Sequence, residues 1–205
     1  MGFYSDQILP RFIDKTLGAD GLMRHRGEVA AGLTGSIVEI GFGSGLNVAV
    51  YPAEVDRVFA VEPRAIGRRL AADRIAASPV DVEFVGLDGQ SLPLDDDSCD
   101  GALSTFTLCT IPDEAAALAE LVRVVRPGGR VNLLEHGRAP DDDVRVWQRR
   151  LNPIQRRVGD GCHLDRDHPR LVEDAGLEIE ARRQWYAKGP KPMSAFHLLL
   201  CRVPR

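Results

Sequence analysis

Three glycines at alternate positions, Gly41, Gly43 and Gly45, break an apolar run that starts at Ile37 and resumes at Leu46. Glycine permits positive φ and removes the Cβ that would hold a ligand away from the backbone. A helix starting after such a turn points its free N–H groups and positive dipole end into the same gap. The combination suits a nucleotide-like molecule. One acid is spaced to serve it. Glu62 follows the turn at roughly 20 residues, the distance at which nucleotide-binding α/β folds set a carboxylate on ribose hydroxyls, and a further acid, Glu39, stands two places before the first glycine. A carboxylate accepts from both hydroxyls at once. His136, at the end of a candidate strand, is the residue placed like a general base; the alternative is a hydrogen-bonding histidine behind the site.

Other glycine turns fit less well. A dinucleotide fingerprint, G-x-G-x-x-G, needs its third glycine where Leu46 stands. A phosphate-binding loop ends in Gly-Lys-Ser/Thr, whereas Gly45 precedes Leu46-Asn47. The four cysteines, Cys99, Cys109, Cys162 and Cys201, show no C-x-x-C pair. Structural zinc is therefore not expected, and reduced packing thiols are.

The elements that must position these residues alternate between strand and helix. Residues 3–33 are helical in pieces, with Ile8, Phe12 and Ile13 able to share a face. A strand from Ile37 enters the glycine turn, and Tyr51-Pro52 stops the short helix after it. Arg57–Glu62 reads as a second strand, Arg64–Ala76 as an alanine-rich helix and Val80–Val85 as a third strand. Asp100–Ser104 is the fourth strand, and Thr105–Pro112 the loop beyond it. Asp113–Val125 is the clearest helix: Asp113 is a plausible N-cap, and Leu118, Leu121, Val122 and Val125 recur at i, i+3, i+4 and i+7. Arg126-Pro127-Gly128-Gly129 ends it, and Arg130–His136 is the fifth strand. A basic helix over Asp141–Val158, with Trp147, Leu151, Ile154 and Val158 as apolar points, and a helix over Asp167–Ala175 precede two closing strands, Leu177–Arg183 and Ala195–Cys201.

At 205 residues the chain is about one domain's worth, with 44% hydrophobic and 27% charged residues. A net charge of −4 argues against nucleic acid held mainly through phosphates and disfavours an anionic membrane surface. No apolar run spans a bilayer, and Met1–Asp6 lacks the start of a signal peptide, so the expected location is cytoplasmic.

The acid followed by G-x-G-x-G resembles motif I of the class I S-adenosylmethionine-dependent methyltransferases. Glu120-Leu121-Val122-Arg123-Val124-Val125-Arg126-Pro127-Gly128-Gly129 resembles the E-x-x-R-V-L-R-P-G-G string of the type-11 methyltransferase family. Gly86–Leu94 resembles that family's Gly-Asp-Ala-Glu-x-Leu-Pro segment, with Gly89 and Gln90 departing from Ala-Glu. Thr107–Thr110, Glu135-His136-Gly137, Trp147–Pro153 and Gly161-Cys162 further resemble the thiol S-methyltransferase branch and its bacterial relatives; the similarity runs from about Tyr4 to Cys162. The resemblance implies a Rossmann-like α/β fold, a seven-stranded mostly parallel sheet with helices on both faces. It also implies one methyltransferase domain over 1–205, whose segment 1–33 covers the cofactor site. S-adenosylmethionine would then be held by Glu39, Gly41, Phe42, Gly43, Gly45, Glu62, Pro63, Asp88, Gly89, Gln90 and Thr105. No metal is implied. The acceptor would be a small molecule, foremost a thiol, with phospholipid N-methylation or small-molecule O-methylation as alternatives. A cofactor-binding pseudoenzyme and an NAD-dependent oxidoreductase are the readings from other classes.

Overall fold

A computed structural model describes residues 9–205. Two helices, α1 (Leu9–Leu17) and α2 (Asp20–Ala30), lead into β1 (Gly35–Ile40), β2 (Val55–Val61), α3 (Ala65–Ala76), β3 (Asp81–Gly86) and β4 (Cys99–Thr105). Then come α4 (Glu114–Val124), β5 (Val125–His136), α5 (Asp142–Val158), α6 (His168–Asp174), β6 (Glu178–Tyr186) and β7 (Ala195–Arg202). The expected face formed by Ile8, Phe12 and Ile13 lies outside what is described.

The strands form one seven-stranded sheet in the order β3-β2-β1-β4-β5-β7-β6. β1 to β5 are parallel, and β7 runs antiparallel to both β5 and β6. Because strand side chains alternate between faces, near-continuous apolar strands are what a sheet covered on both sides requires. Val38 and Ile40 of β1 and Val131 and Leu133 of β5 join Leu118, Leu121 and Val172 of α4 and α6 on one face. Ile37, Leu103 and Leu134 join Val29, Ala30 and Ala71 of α2 and α3 on the other. The chain reverses its progression across the sheet between β1 and β4, and ligands of doubly wound folds sit at that switch, beyond the carboxyl ends of the strands.

The boundaries hold to within a residue or two except that β6 runs three residues past the expected Arg183 to Tyr186, and apart from two local departures. Leu46–Val50 forms a five-residue 3₁₀ turn, so the glycine turn does not open into an α-helix as expected. β-branched Val48 and Val50 and the nearby Pro52 favour early termination. Arg126–Gly129, expected as a terminating turn, instead lies within β5 as a bulge: Val125 pairs with Cys99 and Arg130 with Gly101. Pro127 offers no N–H to a ladder, and Gly128 takes φ +78, so these residues leave regular pairing. Asp113 caps α4 as expected, accepting from the Ala116 N–H at 3.0 Å.

Candidate active site

A cavity of about 360 Å³ opens at the switch between β1 and β4, within the size range of small-molecule sites. Gly41, Phe42 and Gly43 of the turn, Glu62 and Pro63 after β2, Asp88, Gly89 and Gln90 after β3, and Thr105 at the end of β4 all line it. Sequence spacing thus brings most of the expected cofactor residues together.

Each glycine does something different. Gly41 has φ +70, and a Cβ there would stand 1.9 Å from Thr107 Oγ1, so the β1 and β4 ends meet only because this side chain is missing. Gly43, at φ +58, has space around its Cα, its nearest neighbour to a Cβ being Gly41 O at 3.8 Å. Its open side faces the cavity. Gly45 does not line the cavity; its missing Cβ makes room for Ala71, Phe42 and Val48.

Glu62 is buried and held at both oxygens. Oε2 accepts from the Gly43 N–H and Oε1 from the Arg64 N–H, each at 2.7 Å. Burial raises its pKa, and the two N–H donors oppose that rise. Each carboxylate oxygen keeps a second acceptor position, so hydroxyl donors remain welcome. Gly67 on α3, which sequence reasoning missed, makes this possible. A Cβ there would be 2.9 Å from both Glu62 Cδ and Gly43 O. Its signal was present, since a glycine inside an alanine-rich helix is costly without a packing reason.

Asp88 is exposed, and its Oδ1 accepts from both Gln90 N and Nε2 at 2.9 Å, which lowers its pKa. Gln90 in turn accepts from the Asp113 N–H at 2.8 Å.

Glu39 is not on the cavity wall. It is 1% exposed and accepts from Asn47 Nδ2 at 2.9 Å and from the Tyr51 hydroxyl. Burial pushes its carboxyl up to about 7. Alternation along β1 turns its side chain into the sheet's α2 face, where its bonds to Asn47 and Tyr51 brace the segment after the turn.

The wall also has a buried cationic member that the sequence did not flag. Arg26 of α2 is 4% exposed and lines the cavity, donating from Nη1 to Asn47 Oδ1 at 2.8 Å and Thr105 Oγ1 at 2.7 Å. Burial lowers it to about 10, where it still carries its charge at neutral pH. Leu17 of α1 also lines the wall, and Asp14 ties α1 to the turn by accepting from Ser44 Oγ at 2.5 Å and Arg74 Nη1 at 2.8 Å. Arg64 and Asp160, both at the rim, form an ion pair.

A further part of the wall comes from the loop after β4, with Phe106, Thr107 and Thr110, and from Gly159. Phe106 has φ +55, an unusual conformation for a bulky residue, and its ring lies 5.3 Å from the Arg26 guanidinium. Glu135 fixes this loop from below. It is fully buried, accepts from Ser104 Oγ at 2.7 Å and from the Thr107 N–H at 3.0 Å, and is pushed up to about 6 by burial. Arg166 donates to Leu108 O and, at 2.7 Å, to Ile111 O.

His136 does not line the cavity. It is 7% exposed, packs edge-on to Phe196, and its Nδ1 lies 3.6 Å from Cys162 Sγ. Cys109 and Cys162 face each other, the two segments being joined by the His163 N–H to Cys109 O at 2.8 Å. The contacts with Cys109 and His136 hold the Cys162 thiol below the ordinary cysteine range, while its partner Cys109 is raised. Cys162 is half-buried and the other three cysteines are buried. Iodoacetamide near neutral pH is therefore expected to label Cys162 first, read by peptide mass spectrometry; labelling of Cys109, Cys99 or Cys201 ahead of it would contradict this arrangement.

Comparison with known proteins agrees with the geometry. Residues 38–133 match the model of a family described as a methyltransferase domain. Thiol S-methyltransferase TMT1B of Homo sapiens is 31% identical over 79% of this chain and 72% of its own length. The rat protein of the same name is 30% identical over 73% of this chain, which spans 62% of it. A phosphatidylethanolamine N-methyltransferase of Cereibacter sphaeroides is 25% identical over 71% of each chain. A solved S-adenosylmethionine-dependent methyltransferase of Methanosarcina mazei superposes with a TM-score of 0.64 at 20% identity, over 82% of this chain and 92% of that one.

Proposed function

Since the chain belongs to the S-adenosylmethionine-dependent methyltransferases, we propose that it methylates a small, fairly apolar thiol. One observation carries the choice of a thiol. Among the described residues, the wall that we assign to the acceptor, Phe106, Thr107, Thr110 and Gly159, presents no side chain able to act as a base near pH 7, and the rim acid Asp160 is paired with Arg64. A thiol ionises in solution and needs no protein base, whereas a phenol or an ammonium does. The thiol S-methyltransferase relatives support the same reading.

When bound, S-adenosylmethionine supplies an already activated sulfonium methyl. The residues of this chain fit it. Gly43 leaves room for close approach, Glu62 offers its free acceptor positions to ribose hydroxyls, and Arg26 brings a positive charge complementary to the methionyl carboxylate. Asp88 is an acceptor for the adenine amine. The loop held by Glu135 and Arg166 fixes the acceptor wall before any ligand arrives, so alignment and exclusion of water are what the protein contributes.

The test is an acceptor screen with labelled S-adenosylmethionine, setting small thiols, phenols and phosphatidylethanolamine side by side. At saturating cofactor, the rate with the best thiol should rise with pH towards that thiol's own pKa, and His136→Ala should change it less than about threefold, since no protein base is required. Turnover of phosphatidylethanolamine or a phenol, with no thiol methylated, overturns the proposal. The phosphatidylethanolamine N-methyltransferase relative makes the lipid the second reading.

A further inference from the structure

Helix α5 carries a surface that neither the cavity nor the fold uses. Val144 and Gln148 are buried, and Gln148 fastens the helix by accepting from the Ala139 N–H at 2.9 Å and donating to Gly137 O at 3.0 Å. That fixed face decides what points outward. Trp147, Ile154 and Val158, at i, i+7 and i+11, fall within a narrow stripe at 100° per residue. They are 54%, 62% and 51% exposed, three of the large apolar side chains that stand open to water.

The charge around the stripe is one-sided. The helix holds five arginines against two aspartates, and both aspartates sit in its first turn. Arg145 is taken up by Asp142. Arg150 and Arg157, again seven residues apart, border the stripe, with the Arg150 guanidinium 5.4 Å from the Trp147 ring centroid. Arg149 and Arg156 follow one position earlier. Among the described residues, none of these last four arginines pairs with a carboxylate. This local excess stands in a chain whose net charge is −4, so overall charge misleads about this face.

We propose that α5 is an interfacial helix that seats the protein on the surface of an anionic phospholipid bilayer. Aliphatic side chains flanked by arginines, with a tryptophan at the boundary, match an interface of acyl chains beneath anionic headgroups. The helix also ends at the cavity: Gly159 and Asp160, which follow Val158 directly, line it, and Leu87 on the same wall is 58% exposed. Seated by α5, the protein holds its cavity mouth close to the headgroup layer, where apolar acceptors concentrate. No helix among the described residues is long and apolar enough to cross a membrane, so contact is with one leaflet.

Vesicle flotation with the full chain tests this without turnover, and so independently of the acceptor's identity. The protein should partition at least tenfold more strongly onto phosphatidylcholine vesicles containing about 30 mol% phosphatidylglycerol than onto phosphatidylcholine alone. About 0.5 M salt should release it. In a Trp185→Phe background, emission from Trp147 should shift to the blue on binding. Arg150→Glu/Arg157→Glu should lose at least tenfold in partitioning and Trp147→Ser a smaller factor, both keeping wild-type affinity for S-adenosylmethionine by calorimetry, which certifies the fold. Three results overturn the proposal: no preference for the anionic vesicles, binding that the double charge reversal leaves unchanged, or self-association in sedimentation velocity that Trp147→Ser abolishes while vesicles bind nothing.

Discussion

Glu62→Ala should weaken S-adenosylmethionine binding by about 1.5–3 kcal/mol, the scale of a lost charge-assisted hydrogen bond. That corresponds to roughly 10- to 150-fold in dissociation constant. The structure adds a second, less obvious expectation. Both Glu62 oxygens already accept from backbone N–H groups, at Gly43 and Arg64. Glu62→Gln would set its amide NH₂ against one of those two donors in either orientation. The conservative replacement should therefore bind about as poorly as alanine and should also lower the unfolding midpoint. Calorimetry and thermal unfolding of both variants measure this; an unchanged dissociation constant for a folded Glu62→Ala protein would remove Glu62 from the cofactor site.

Gly43→Val should abolish detectable binding while the protein still unfolds cooperatively. Two effects combine. Valine at φ +58 carries backbone strain on the order of 1–3 kcal/mol, and its methyl groups fill the open space beside the turn. Gly43→Ala imposes similar strain with a smaller side chain, so its affinity should fall between the two. Gly41→Ala behaves differently, because its Cβ meets Thr107 Oγ1 rather than open space, and its cost should appear in stability first. Normal affinity in a folded Gly43→Val protein would make the turn purely architectural.

What was legible in the sequence follows from range. β1, the glycines and Glu62 belong to one local pattern, apolar strand, turn, strand-end acid, whose geometry is set by near neighbours. The helix from Asp113 was equally plain, since its period and its cap both lie within a dozen residues. The contacts that complete the site are long-range. Arg26 reaches Thr105 across 79 positions, and Asn132 donates to Val29 O across 103. An arginine in an amphipathic helix reads as solvent-facing until the sheet is assembled above it. Glu39 departs in the opposite direction: pleat alternation along β1 turns it from the cavity wall, and Asn47 and Tyr51 take its oxygens. His136 stood at a strand end, as a base should, yet the chain after α5 returns beside it and Cys162 occupies its Nδ1.

The two ends of the cofactor cavity differ in how far they can be redesigned. At the Glu62 end, the turn, the acid and the helix glycine are interlocked through Gly43, Arg64 and Gly67, so any change there alters folding and recognition together. At the Asp88 end, the recognition proposed above would rest on an exposed loop in which, among the described residues, Asp88 bonds to Gln90 and Gln90 to the start of α4. Selection for altered base preference, whether by laboratory evolution or by drift, has a soft target at Asp88–Gln90 and a hard one at Glu62. Libraries built to accept nucleoside analogues should accordingly be confined to the former and spare the latter.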